Sequence, residues 1–301
     1  MFLLLNDTWC PKMEISIQIV LDYLDNHNKK NYDLDWLTTA NGDPEVIGIN
    51  NIKPLNKAGV GDLTFCSYHG DKAVKTIRES KASYIICDYA LNNEPPLTDQ
   101  MFDMKENGVK RTLMFVQNPR LTFMRILSEF FEPAKPIVKI GKNCVIDPNV
   151  MLGLPGFGYE RNESGALEHF PHYGDVVIND NVDVGAHSCV DRATLPDEAT
   201  VIGEGCKLDN FVHVAHNVKI GRNVLVVSHC NIGGSAEIGD GSYLAMSVTI
   251  MNKVKIGKRC LLGNRANIRN DVPDNTVVIG NDQIIGDVDE KERWSRLVGK
   301  L

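Results

Sequence analysis

The stretch Leu208–Gly221, LDNFVHVAHNVKIG, lies inside a run where one apolar residue returns every six positions. Ile202, Leu208, Val214, Ile220, Val226, Ile232, Ile238, Leu244, Ile250, Ile256, Leu262 and Ile268 follow one another without a slip. A helix repeats its apolar face every 3.6 residues and a half-buried strand every two, so neither explains the run. A fixed short period marks a repeat architecture, and six-residue repeats point to a parallel β-helix. Each hexad is then a short strand plus a turn, and three hexads close a triangular coil. Residues eighteen apart become stacked neighbours, which places Gly234 directly on His216.

Working outward, the same beat begins at Ile140, Ile146 and Leu152 and is broken by residues 153–175, rich in glycine and proline. It resumes at Ile178, Val184 and Val190 and is broken again by TLPDEAT before the clean run. Glycine follows the hexad residue at 141, 153, 185, 203, 221, 233, 239, 257 and 263, read here as tight corners using glycine's freedom in φ. Upstream, Val46–Ile52, Ala82–Cys87 and Thr112–Val116 read as strands, and Met13–Asn26, Lys72–Ser80 and Arg120–Phe131 as helices. That alternation predicts a small α/β domain over 1–135. PAKP at 133–136 is the hinge, 136–286 the β-helix, and 287–301 a short helical tail.

Bulk composition sets limits. The chain has 301 residues, 43% apolar and 24% charged, with net charge −7. That charge argues against nucleic acid as the main partner, because phosphate binding favours a basic surface. Eight scattered cysteines without a CxxC pair read as reduced core thiols. Residues 1–12 read as a loose leader without a signal peptide, and no stretch has the roughly 20 apolar residues of a membrane span. A cytoplasmic protein without a membrane span is expected. Flat prism faces suit packing against copies, and a homotrimer is the expected assembly.

The hexads, together with GFGY at 156–159, VDR at 190–192, LDNFVHVAHNVKIG at 208–221 and GGS at 233–235, resemble the UDP-3-O-acylglucosamine N-acyltransferase family of lipid A biosynthesis. That family belongs to the left-handed β-helix acyltransferases. GDLTF at 61–65 and FVQNPRLTFMRIL at 115–127 resemble its uridine-binding domain, so the resemblance spans roughly residues 45 to 280. It implies a mainly β fold, a left-handed parallel β-helix behind a small α/β domain. It also implies transfer of an acyl group to the amine of a UDP-linked amino sugar. The donor would be the phosphopantetheine thioester of acyl-carrier protein, or acyl-coenzyme A, with no tightly bound cofactor.

His216 corresponds to the family's catalytic histidine, and imidazole is the side chain poised to take an amine proton near neutral pH. The Gly234 amide is expected to stabilise the tetrahedral oxyanion. Phe65 corresponds to an aromatic that stacks on uracil, although a core phenylalanine at a strand end reads equally well. The second sandwiching tyrosine has no match at its own spacing, where Asp71 stands, and Tyr68 is the substitute. Asp209 and Asn210 either orient the base and hold substrate hydroxyls or serve as turn residues. Lys253 replaces the family's second active-site histidine, facing a phosphate or thioester oxygen or simply solvent. His213 is read as structural, His187 and His229 as paired features of one face, and no metal site is expected. The shortened coil run and tail open an alternative, an acetyl-coenzyme-A-dependent nucleotide-sugar N-acetyltransferase, and a non-catalytic binding module is the third reading.

Overall fold

The structure, a computed structural model, describes residues 15–27, 49–93, 112–131, 137–280 and 283–287. The leader, the PAKP hinge, Cys10 and nearly all of the expected C-terminal helix lie outside these residues. The chain divides into two compact units, one from Met1–Ala134 with Phe157–Pro171 and the other from Lys135–Gly156 with His172–Leu301.

In the first unit, β1 (Asn51–Ile52), β2 (Asp62–Phe65), β3 (Tyr84–Asp88) and β4 (Thr112–Val116) form a parallel sheet in that order. Among the described residues, three α-helices belong to this unit: α1 (Ile17–His27), α2 (Gly70–Glu79) and α3 (Pro119–Phe130). Near-continuous apolar runs such as Ile85–Ile86 suit a parallel strand buried on both faces, and both isoleucines are fully buried. The segment NPRL starts α3 because the Asn118 side chain accepts the Leu121 amide at 3.0 Å and Pro119 needs no donor at the first helical position. Strand β2, inside GDLTF, has no signal of its own in the sequence pattern. It is four residues long, too short for alternation to register. The first interruption of the beat contributes an antiparallel hairpin, Tyr159–Arg161 with Leu167–His169. Arg125 of α3 holds it through paired hydrogen bonds to Glu168 and Glu163 at 2.7–3.0 Å.

The second unit is the β-helix. Its first face stacks Val138–Ile140, Asp175–Ile178, Ala199–Ile202, Lys219–Ile220, Glu237–Ile238 and Lys255–Ile256. The second face begins at Val145–Ile146 and runs to Leu261–Leu262, Thr276–Ile279 and an antiparallel last strand, Gln283–Asp287. The third stacks Met151–Leu154, Cys189–Asp191, His213–Val214, Asn231–Ile232, Thr249–Ile250 and Asn267–Ile268. Pairing is parallel, and Ile202 faces Ile220, Leu208 faces Val226 and Val214 faces Ile232, so residues eighteen apart stack. The coil is the left-handed hexapeptide type. All twelve hexad residues of the clean run are at most 3% exposed, each contributing about 1.5–3 kcal/mol of apolar burial. Among the described residues all seven cysteines are free thiols, and no helix is long and apolar enough to cross a membrane.

One expectation about the corners is corrected. Of the glycines after the hexad residues only Gly153 has positive φ, 79°; the other eight do not. The left-handed positions come two residues later, at Asn143, Asn181, His187, Phe211, Asn217, Ser235 and Lys253 among others, with φ between 51° and 66°. The hexad glycines are there for closeness of neighbouring coils. A Cβ on Gly203 would lie 2.2 Å from the Gly221 carbonyl oxygen, and one on Gly257 would lie 2.4 Å from the Asp274 amide nitrogen.

Candidate functional site

The corner joining the third face to the first carries His216, and coil stacking sets what surrounds it. Residues 216, 234 and 252 follow one another up this edge, with the Ser235 amide donating to the His216 carbonyl at 2.8 Å and the Lys253 amide to the Gly234 carbonyl at 2.9 Å. The imidazole is half-buried and fits between two glycines. A Cβ on Gly234 would lie 2.5 Å from Nε2, and one on Gly156, from the GFGY segment, 3.2 Å from Cδ2. His172 closes another side, its ring 5.3 Å from that of His216 at 65°. Its burial, 4% exposed, follows from the return of the interrupted segment into the coil.

The tautomer of His216 can be read from its neighbours. Nδ1 lies 3.0 Å from Asn217 Oδ1. The amide orientation of Asn217 is set independently. The Thr194 backbone N–H donates to Oδ1 at 3.0 Å, and Nδ2 donates to Glu198 Oε2 at 2.6 Å. An oxygen that already accepts can only accept again, so Nδ1 carries the proton and Nε2 presents a lone pair. The Asn217 backbone N–H further donates to Thr200 Oγ1 at 2.9 Å. Thr194, Glu198 and Thr200 come from the TLPDEAT interruption and the strand after it, so that irregularity builds the support for the base. Sequence reading left Asn217, Glu198 and His172 without a role. The signal was the coincidence of an inserted acidic segment with the coil just below the AHN motif.

The Gly234 amide corrects an expectation. It donates to Asn252 Oδ1 at 3.0 Å, as Arg222 donates to Asp240 and Lys258 to Asp274 at the neighbouring corner, both at 2.8 Å. It is thus a corner donor committed to the next coil, not an oxyanion donor aimed at the imidazole. Glycine is needed there because the ring of His216 occupies the space of a side chain.

Lys253 shares this corner, one coil above Ser235, exposed and at φ 66°. Asp209 and Asn210 do not. They sit at the other edge of the third face, where Asp209 Oδ1 accepts the Asn210 amide at 2.8 Å, as turn residues do. With Val145, Asp147, Lys207 and Tyr243 they line an open groove of about 540 Å³ on the second face. The structure therefore does not bring them to His216. The same edge carries a ladder of rings in which Phe211 stacks between His187 and His229 at 5.2 and 5.0 Å. His213 points outward from the third face toward the buried Asp191 carboxylate, Nε2 to Oδ2 3.7 Å. Burial raises Asp191 above the usual carboxylate range, while the charges of His213 and His216 oppose that rise.

In the first unit, Phe65 ends β2 half-buried against Phe123 of α3, ring centroids 4.7 Å apart. Tyr68 is exposed, with Lys72 Nζ 4.0 Å above its ring. Phe65 thus ends β2 and Tyr68 lies on the loop that leads from it to α2.

Residues 199–234 match the bacterial transferase hexapeptide family (six repeats). Over 98 residues the chain is 45% identical to "UDP-3-O-acylglucosamine N-acyltransferase 2" of Legionella pneumophila (strain Lens) and 42% identical to the protein of that name in strain Paris. In both cases the match covers 33% of this chain and 28% of the relative. A solved UDP-N-acetylglucosamine acyltransferase from Campylobacter jejuni aligns with TM-score 0.44 at 14% identity, over 81% of this chain and 79% of that one. The chain thus spans under a third of the length of the curated relatives it matches, and over that span it carries hexapeptide repeats similar to those of two UDP-3-O-acylglucosamine N-acyltransferases.

Proposed function

We propose that the protein transfers an acyl group from a carrier thioester to the amine of a UDP-linked amino sugar, as in lipid A synthesis. The observation that carries this is His216, in the homologous repeat segment, with its proton held on Nδ1 by Asn217 and its Nε2 lone pair beside Gly234. The amine attacks the thioester carbonyl and a C–N bond forms. His216 Nε2 takes the amine proton, worth about 10²–10⁴ in rate. Collapse of the tetrahedral intermediate breaks the C–S bond, and the thiolate leaves with that proton returned from the imidazolium. Lys253, on the same corner, is assigned to a phosphate of the donor or acceptor. Phe65 and Tyr68 are assigned to the uracil ring. Asp209 and Asn210, at the far edge of the face, take no part within one chain. The three flat faces support a homotrimer, and no cofactor beyond the thioester is required.

The test is thiol release by the purified full chain with a 3-O-acylated UDP-amino sugar. Acyl-carrier-protein thioesters and coenzyme A thioesters of several lengths serve as donors. Amino-sugar-dependent release that falls by at least about 10²-fold in His216→Ala is expected. Wild-type rates in that variant refute the assignment of the base. Release only from acetyl-coenzyme A converts the reading to an N-acetyltransferase, and UDP-sugar binding with no turnover from any donor makes the protein a binding module.

A further inference from the structure

We propose that Cys189, Asp191 and His213 form a site for a borderline-soft divalent cation of the zinc class, with three protein ligands and one position open. Sequence spacing hides the trio. Cys189 and His213 are twenty-four residues apart because the TLPDEAT segment lengthens that coil, yet strand pairing sets them directly opposite on the third face. Strands pair about 4.8 Å apart, so both side chains leave the face in one column. Asp191 stands two residues beyond Cys189 and therefore on the same side. A register irregularity against Leu154, with Gly153 at φ 79°, lies beneath it, and such bulges re-aim side chains.

The donor atoms converge. The Cys189 thiol lies 3.8 Å from Asp191 Oδ1, and His213 Nε2 lies 3.7 Å from Oδ2. One atom from each of the three residues falls within 4.8 Å of the others. In tetrahedral zinc, bond lengths of 2.0–2.3 Å put donor atoms about 3.3–3.5 Å apart, so modest side-chain rotation completes the set. Thiolate, imidazole and carboxylate together favour zinc or cobalt over magnesium or calcium, which prefer oxygen alone. Burial is graded as a built site requires: Asp191 is 5% exposed, while Cys189 and His213 are half-buried and give the ion a route in. On binding, the Cys189 proton passes to solvent and the Sγ–metal bond forms, without any redox change.

The experiment uses the full chain, stripped by chelator, titrated with Zn²⁺ by calorimetry and with Co²⁺ by absorption spectroscopy. One ion per chain and a near-ultraviolet thiolate-to-cobalt charge-transfer band are expected. Cys189→Ser removes the band, and Cys189→Ser and His213→Gln each weaken Zn²⁺ binding by at least about tenfold. Both positions are partly exposed, so metal-free melting temperatures should match the native chain and separate ligand loss from misfolding. Absence of Zn²⁺ binding by the native chain overturns the proposal. So does binding that neither variant weakens, which would place the ion elsewhere. These readouts are independent of acyl transfer.

Discussion

Gly234→Ala separates what the corner does for the fold from what it does for chemistry. The added methyl would sit 2.5 Å from His216 Nε2, 2.7 Å from Cε1 and 3.1 Å from Cδ2. Ordinary contact begins near 3.4 Å, so the ring must retreat by about 0.9 Å or rotate away. The obstacle is the far end of a half-buried side chain, which can yield, and Gly234 needs no left-handed backbone. Stability should therefore change by less than about 1 kcal/mol, a melting shift of at most about 2–4 °C for a chain of this size. A 1 Å misplacement of a reacting group costs about 10²-fold in rate, equivalent to about 2.7 kcal/mol of barrier. The expectation is kcat/KM for thiol release down about 10²-fold with an unchanged fold. Gly203→Ala is the contrasting control. Its methyl meets the Gly221 carbonyl oxygen at 2.2 Å, a backbone obstacle, so about 1–3 kcal/mol of stability is lost instead. Near-native turnover by Gly234→Ala would refute the claim that His216 must occupy this exact pocket between glycines.

Two further outcomes follow from the contacts. Asn217→Ala removes the acceptor that holds the Nδ1 proton of His216; kcat should drop with KM little changed, and the pH–rate profile should move, whereas an unmoved profile would make Asn217 purely structural. Arg125 holds the Glu163 and Glu168 carboxyls below their ordinary range, chiefly through its side-chain hydrogen bonds. Because the folded values are lowered, the unfolded chain binds more protons in the acid window. That stabilisation is complete above about pH 4.5 and is lost as pH falls through the folded values. The melting-temperature gap between the native chain and Arg125→Met should narrow on acidification from pH 6 to 3, and a constant gap would show the network to be inert.

Much of the architecture was legible in the primary sequence because a solenoid makes tertiary neighbours out of a linear period. The hexads from Ile202 to Ile268 gave the faces, the register and the stacking of Gly234 on His216. In the first unit, β-branched runs marked β3 and β4, and the helical reading of 120–131 marked α3, to within a few residues. The same arithmetic failed where the period broke. Residues 153–175 and TLPDEAT carry no repeat, so nothing in them foretold that Glu198 and Thr194 would buttress Asn217, or that His172 would lie beside His216.

The linear chain by itself determined the repeat, and the repeat dictated which residues stack, because hydrogen bonding between identical coils admits one register once the apolar column is buried. It also supplied the histidine. Only the folded molecule decided direction: that the Gly234 amide points up to Asn252, that Nε2 rather than Nδ1 carries the free lone pair, that Asp209 and Asn210 belong to the opposite edge, and that Cys189, Asp191 and His213 meet. Periodicity specifies the position of a Cα along the coil, whereas the aim of an N–H or a side chain is set by hydrogen-bond partners brought in from irregular segments.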